Sequence, residues 1–146
     1  MRKNRKSDSG NATVEFALLL PLMLLLVLGV VDFARLFYAA ITVASAARAG
    51  VQYGAQDTIK AKDNAGMQTA ASNDAADITG VTATAQAYCE CSDGTRVDCI
   101  TGTCSGGTKP PAYVQVTVQK TFTTLVNYPG IPHNTALSRT AIMRVQ

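Results

Sequence analysis

Four cysteines, Cys89, Cys91, Cys99 and Cys104, fall within sixteen residues. Thiols at this density serve one of two chemistries, zinc ligation or disulfide formation. A C-x-C followed by C-x4-C lacks the C-x2-C knuckle of structural zinc sites. In an exported domain an even, clustered set reads as two disulfides. A Cys89–Cys91 bridge is disfavoured, because neighbours two apart on a strand hold their Cα atoms near the upper limit of disulfide reach. Two pairings remain: Cys89–Cys99 with Cys91–Cys104, and Cys89–Cys104 with Cys91–Cys99. A hairpin looping through Asp93-Gly94-Thr95 would set Cys89 opposite Cys99 and favours the first. His133 is the only histidine and lies in a Pro- and Gly-containing loop. No G-x-S-x-G elbow, phosphate loop or G-x-G-x-x-G fingerprint is present. The residues predict no metal, no cofactor and no enzyme.

Glu15 is the other chemically pointed residue. It stands directly before an uncharged run, Phe16 to Val31. A carboxylate near hydrocarbon is costly, roughly 2.5–3.5 kcal/mol for the related Asp at a helix centre and less near the edge. Reach to the headgroups, or the favourable field of a helix N-terminus, would account for it structurally. A functional account needs a positive partner at that depth. Cutting the chain after Gly10 would supply one, a new α-amino group on Asn11, four residues before Glu15.

These residues must be positioned by a helix. Sixteen uncharged residues rise ~24 Å, somewhat short of a ~30 Å hydrocarbon core. The apolar pattern continues past Asp32 through Phe33, Leu36, Phe37, Tyr38 and Ile41. Asp32 and Arg35, three apart, share a face and can pair. Phe37 and Tyr38 suit a membrane interface, and the basic cluster before the run places the N-terminus in the cytoplasm. A cleaved signal peptide is the rival reading. The small-x-small site at Ala44-Ser45-Ala46 lies too far beyond the run for ordinary cleavage. From Ala39 to Gly54 small residues recur at spacings of three and four, which lets another helix approach closely. A helix over 11–55 would be ~67 Å long. It overshoots a bilayer and calls for a partner along its length.

Beyond residue 55 the chain turns polar. Asp57 or Thr58 can cap a second helix running to about Asp77, weakened by Gly66. From Val81 to Cys91 the chain alternates strictly, the mark of a half-buried strand. Arg96 to Ile100 can return as a short strand. Ala112 to Phe122 alternates with Val114, Val116, Val118 and Phe122 inward, and Leu137 to Val145 closes the sheet. The expected fold class is α+β: a long N-terminal transmembrane helix, a shorter helix, then an antiparallel sheet of three to four strands with two disulfides. Expected units are a basic cytoplasmic leader at 1–10, the long helix at 11–55 with its span at about 16–38, and an extracytoplasmic domain at 56–146.

The net charge of +3 comes from the first ten residues, where Arg2, Lys3, Arg5 and Lys6 meet only Asp8. The remainder is balanced and offers no basic face to a phosphate backbone, so nucleic acid is excluded as a partner.

A glycine followed five residues later by a glutamate, ahead of a membrane helix, resembles the processing site of type IV prepilins. More closely, Gly10-Asn11-Ala12-Thr13-Val14-Glu15-Phe16, Asp32-Phe33-Ala34-Arg35 and Ala46-Ala47-Arg48-Ala49-Gly50-Val51-Gln52-Tyr53-Gly54-Ala55 together resemble the TadE-like pseudopilins of the tight-adherence (Flp, type IVc) pilus system. That resemblance implies cleavage between Gly10 and Asn11 by a membrane aspartyl prepilin peptidase. It implies an assembly role for Glu15, and partners among the inner membrane, other pilin subunits and the assembly platform. Phe16, where major pilins of this system have tyrosine, and the large outer domain favour a minor pseudopilin, oligomeric through its N-terminal helix. The alternatives are an uncleaved membrane scaffold of the assembly complex and a secreted disulfide-rich binding protein.

Overall fold

The structure, a computed structural model, describes the backbone of residues 9–146 and the side chains of residues 13–146. The basic residues Arg2, Lys3, Arg5 and Lys6 of the expected leader lie outside the described residues.

Helix α1 (Ser9–Gly54) runs for 46 residues, or ~69 Å. It is the one helix among the described residues long and apolar enough to cross a membrane. Pro21 lies inside it. Proline removes one backbone donor and leaves the carbonyl of Ala17 without its helical partner, a defect that membrane helices tolerate.

The two halves of α1 have opposite surroundings. Between Val14 and Val31 the apolar side chains stand clear of the rest of the chain, as Leu18 (74% exposed) and Val30 (61%) illustrate. From Ala39 onward one face is buried: Val43, Ala46, Ala47, Gly50, Val51 and Gly54 recur at the three- and four-residue spacing that keeps them on one side. Small residues matter there because the neighbours come close. A Cβ on Gly50 would lie 2.9 Å from Val116 Cγ1 and 3.0 Å from the Met67 carbonyl oxygen. The small-residue stripe therefore does find a close partner along its length, but that partner is the chain's own domain. A short helix and a strand occupy it.

The short helix is α2 (Asn64–Asp74), preceded by a single 3-10 turn at Lys60–Lys62. The expected helix from residue 57 or 58 to 77 is thus interrupted and shorter. Asp57 accepts the N–H groups of Ile59 and Lys60 at 2.8 and 2.7 Å and caps only the 3-10 turn. Asp63 restarts the helix by accepting the Gly66 N–H at 2.8 Å. Gly66 sits in the first turn of α2, not its middle. A side chain there would collide with Asp63 and Tyr53. Met67, Ala71 and Ala75 face inward and are almost wholly buried.

Four antiparallel strands form one sheet in the order β2-β1-β3-β4: β1 (Val81–Glu90), β2 (Arg96–Val97), β3 (Ala112–Thr123) and β4 (Asn134–Arg144). Strands β3 and β4 pair from Tyr113↔Arg144 to Thr123↔Asn134, a long hairpin closed by the loop 124–133. The period of two sends Val114, Val116 and Val118 into the core against α1 and α2, each fully buried. The opposite face is Thr- and Gln-rich, crossed by a Thr117–Thr140 hydroxyl contact at 2.8 Å. At one end Tyr88 stacks on Tyr113, with the Arg96 guanidinium 4.2 Å over the Tyr88 ring.

Candidate functional site

The site is the exposed half of α1 together with the point where the folded domain takes hold of it. Gly10 and Asn11 lie in the first turns of α1, and their side chains are outside the described ones. Glu15 follows on the exposed part of the helix. Sixteen uncharged residues, Phe16 to Val31, then separate it from Asp32, where the domain takes hold of the helix.

Asp32 is 5% exposed. Its carboxylate accepts the Leu125 N–H at 3.1 and 3.0 Å, one distance to each oxygen, and the Tyr128 hydroxyl at 3.3 Å. The Arg35 guanidinium donates at 2.9 Å from one turn along and lies 5.4 Å over the Phe122 ring. A buried carboxylate is tolerated only when its acceptor sites are filled, and here three donors fill them. The arrangement is a clasp: one helix carboxylate binds the β3–β4 loop by backbone and side chain. Beside it lies an apolar cleft of about 330 Å³, lined by Gly29, Phe33, Leu36, Phe122, Ile131 and Pro132 among others. A second contact lies nearly two turns beyond Asp32, where the Tyr38 hydroxyl donates to Asp77.

The Asp32–Arg35 pair expected from spacing is present. Its larger part, the reach to Leu125 and Tyr128, was not read from the sequence. The available signal was composition. No Asp, Glu, Lys or Arg occurs between Lys120 and Arg139, in a domain otherwise punctuated by charge.

At the far end of the domain the four cysteines form Cys89–Cys99 and Cys91–Cys104, with Cα separations of 5.2 and 5.6 Å. The pairing agrees with expectation, but the register that motivated it does not. Cys89 stands opposite Val97, two residues short of Cys99. The turn is centred one residue earlier than Asp93-Gly94-Thr95: the Cys91 N–H donates to the Thr95 carbonyl and the Gly94 N–H to the Cys91 carbonyl, leaving Ser92, Asp93 and Gly94 between. Strand β2 then ends at Val97. Asp98 accepts the N–H groups of Ile100 and Thr101 at 2.8 and 2.7 Å, turning the chain so that Cys99 reaches Cys89. Those amides, Thr101 first, hold the Asp98 carboxyl below its ordinary value. The Thr95 amide does the same for Asp93. His133 bonds through Nδ1 to the Thr124 hydroxyl at 2.9 Å, inside its loop. Among the described residues no group of three or more His, Cys, Asp or Glu side chains could hold a metal ion.

Tyr53 closes the buried half of α1. Its hydroxyl donates to Asp63 at 3.0 Å, and that bond, with desolvation, raises its pKa. The same carboxylate thus caps α2 and tethers it to α1.

Comparison with known proteins adds one finding. Residues 10–52 match the family model described as TadE-like protein. The match starts at Gly10, includes Glu15 and the Asp32–Arg35 pair, and ends within the buried half of α1. The match covers 43 of the 146 residues, and over that segment the chain is similar to TadE-like proteins. No curated protein and no solved structure matches the chain.

Proposed function

We propose that this TadE-like chain is a minor pseudopilin that takes part in assembling a tight-adherence pilus for surface attachment. The observation that carries the reading is where the family match falls: it begins at Gly10 and covers the whole exposed apolar stretch of α1, most of which lies before the clasp at Asp32. In this reading residues 1–10 are a cytoplasmic leader. A prepilin peptidase cuts between Gly10 and Asn11, and the span at about 16–38 crosses the inner membrane with the domain at 56–146 on the periplasmic side. The new Asn11 amine and Glu15 of an adjacent subunit can then meet when two such helices are offset by a few residues. An unpaired charge in low dielectric is penalised, so the pair rewards one stagger over others more than it adds net stability. The chain acts without catalysis or cofactor, through other pilin subunits and the assembly platform.

The test separates processing from assembly in the native host. Gly10 replaced by a bulky residue should leave a precursor about ten residues longer, since only a glycine lets the scissile backbone approach a protease this closely. Glu15→Gln should be inserted and cleaved yet lose incorporation into, or initiation of, the filament. Identical migration of the Gly10 variant and wild type would refute cleavage and point to an uncleaved scaffold. Wild-type piliation of Glu15→Gln would remove its assembly role.

A further inference from the structure

We infer that the β3–β4 loop is a second membrane contact, seated in the lipid interface of the leaflet nearest the folded domain and held at that depth by Asp32. The inference rests on α1 spanning a membrane, and on no part of the pilus reading.

Three observations place lipid, and not water, against this loop. The loop runs antiparallel to the last turns of the apolar run. Leu125 is bonded to Asp32, and Ile131 and Pro132 line a cleft with Gly29 and Phe33. A span long enough for a bilayer takes about 20 residues, so counting from Phe16 the helix residues opposite the loop tip are still within it. Second, the loop turns two large apolar side chains outward, Leu125 at 56% and Ile131 at 59% exposed, beside the polar Asn127 and His133 that suit headgroups. They continue the exposed surface of Phe33 and Phe37 on the helix. Third, the charge-free stretch between Lys120 and Arg139 stops where the domain leaves that level. Lys120 and Arg35 border one shared pocket with Tyr38 and Asp77. Lys120 donates to the Thr79 carbonyl and Arg35 to Asp32, but the Arg35 side chain is 46% exposed and its remaining N–H groups can reach phosphate headgroups.

The backbone fixes how deep the loop goes. Irregular chain exposed to lipid is not found in the hydrocarbon centre, because its polar groups need partners. Here the need is partly met. The Leu125 N–H goes to Asp32, the Thr124 N–H to the His133 carbonyl and the Ile131 N–H to the Tyr128 carbonyl. Pro129 and Pro132 have no N–H to satisfy. The amides of Val126, Asn127, Tyr128, Gly130 and His133 still require water or headgroups. A loop of this kind belongs at the interface, its apolar side chains ~5–10 Å into the boundary. The apolar cleft behind it then accepts an acyl chain.

The chain contains no tryptophan, so single tryptophans report position in the full-length protein reconstituted into phosphatidylethanolamine–phosphatidylglycerol bilayers. Ile131→Trp should emit in the blue and lose about half its intensity when shallow-brominated phospholipid replaces the parent lipid, as expected for a ring ~5–10 Å into the boundary. Ile100→Trp, at the disulfide end and 86% exposed, should not be quenched. Leu24→Trp should be quenched most by deeply brominated lipid. That reading decides whether the helix spans, independently of the loop. Quenching of Leu24→Trp without quenching of Ile131→Trp overturns the inference. So does blue emission from Ile131→Trp that is unquenched and grows with protein-to-lipid ratio, which would assign the loop to a second copy of the chain. Leu125→Trp repeats the measurement should Ile131→Trp fail to form both disulfides.

Discussion

Replacing Asp32 by asparagine should release the β3–β4 loop while leaving the core folded. The carboxylate offers both oxygens to the Leu125 N–H and one of them also to the Tyr128 hydroxyl. Asparagine offers one oxygen and turns an NH2 toward the same donors. At least one bond is lost, and the new donor faces a backbone N–H with no acceptor between them. Hydrogen bonds to a charged group contribute ~1.5–3 kcal/mol each. The Arg35 arm adds little, since that side chain is 46% exposed and half-exposed ion pairs are weak. A local loss of ~2 kcal/mol is therefore expected, equivalent to about 30-fold in the opening equilibrium.

Amide hydrogen exchange reads that quantity at the affected bond. In Asp32→Asn the Leu125 amide should exchange about 30-fold faster, whereas the Val116 amide, in the strand packed on α1, should exchange as in wild type. Tyr128→Phe, which removes only the 3.3 Å bond, should have a smaller effect of the same sign. Equal acceleration at Leu125 and Val116 would mean that Asp32 supports the whole fold. Unchanged protection at Leu125 would mean that the clasp contributes nothing measurable, and either result refutes the reasoning.

Three further outcomes follow from other parts of the fold. Gly50→Leu forces a side chain against Val116 and the Met67 carbonyl and should destabilise by about 1–3 kcal/mol in thermal denaturation of the detergent-solubilised chain, while Gly29→Ala, whose Cβ meets nothing within 4 Å, should leave the midpoint unchanged. The folded protein should contain no reactive thiol, and the Cys91→Ser, Cys104→Ser double variant should lose ~2–5 kcal/mol; four reactive thiols without reductant would overturn the disulfide assignment. The Asp98 carboxyl should titrate below its ordinary value because the Thr101 and Ile100 amides favour the ionised form. Its folded pKa is depressed, so the turn's contribution is present above the unfolded pKa and is lost as pH falls through the folded one; a midpoint by NMR at or above the ordinary carboxylate value would refute that account.

How far the sequence reveals this fold depends on how local each cause is. The apolar run, the alternation in β1 and β3 and the inward valines are periodic, and period is read directly from residues. All three valines, 114, 116 and 118, are where alternation places them. The second helix was misjudged because Asp57 and Asp63 are both competent caps. Which of them starts the longer helix depends on Tyr53, ten residues away, which binds Asp63. The cysteine pairing was legible, but the turn chemistry that delivers it was not. Asp98 folds back onto the amides two and three residues on, where the sequence predicts a short strand. The clasp was least legible. Its bonds cross 93 and 96 residues of sequence, and nothing in the spacing of Asp32 points to Leu125. In the candidate site, therefore, Gly10, Asn11 and Glu15 come from local pattern and family likeness, whereas Asp32's role exists only in three dimensions.

The division of α1 also constrains where partners can act. The small-residue stripe, which alone would suit helix association, is filled by Met67, Ala71 and the β3 valines. Association through that half would require the domain to come off its own helix, at the loss of the principal core. The apolar surface before Asp32 carries no such commitment, and in water its exposure would be strongly unfavourable. Lipid or neighbouring helices must cover it, and both coverings suit the same residues. They differ in what Glu15 would do: on a lipid-facing helix it would reach the headgroups, whereas in the proposed bundle it would meet a positive group of a neighbour. The domain, clasped at Asp32, fixes how far this half projects. On the proposed reading, stagger between subunits would be set at two points, the Glu15 level and the level of the β3–β4 loop. Shifting one without the other, as Asp32→Asn would by freeing the loop, should blur assembly geometry without touching the residues that pair.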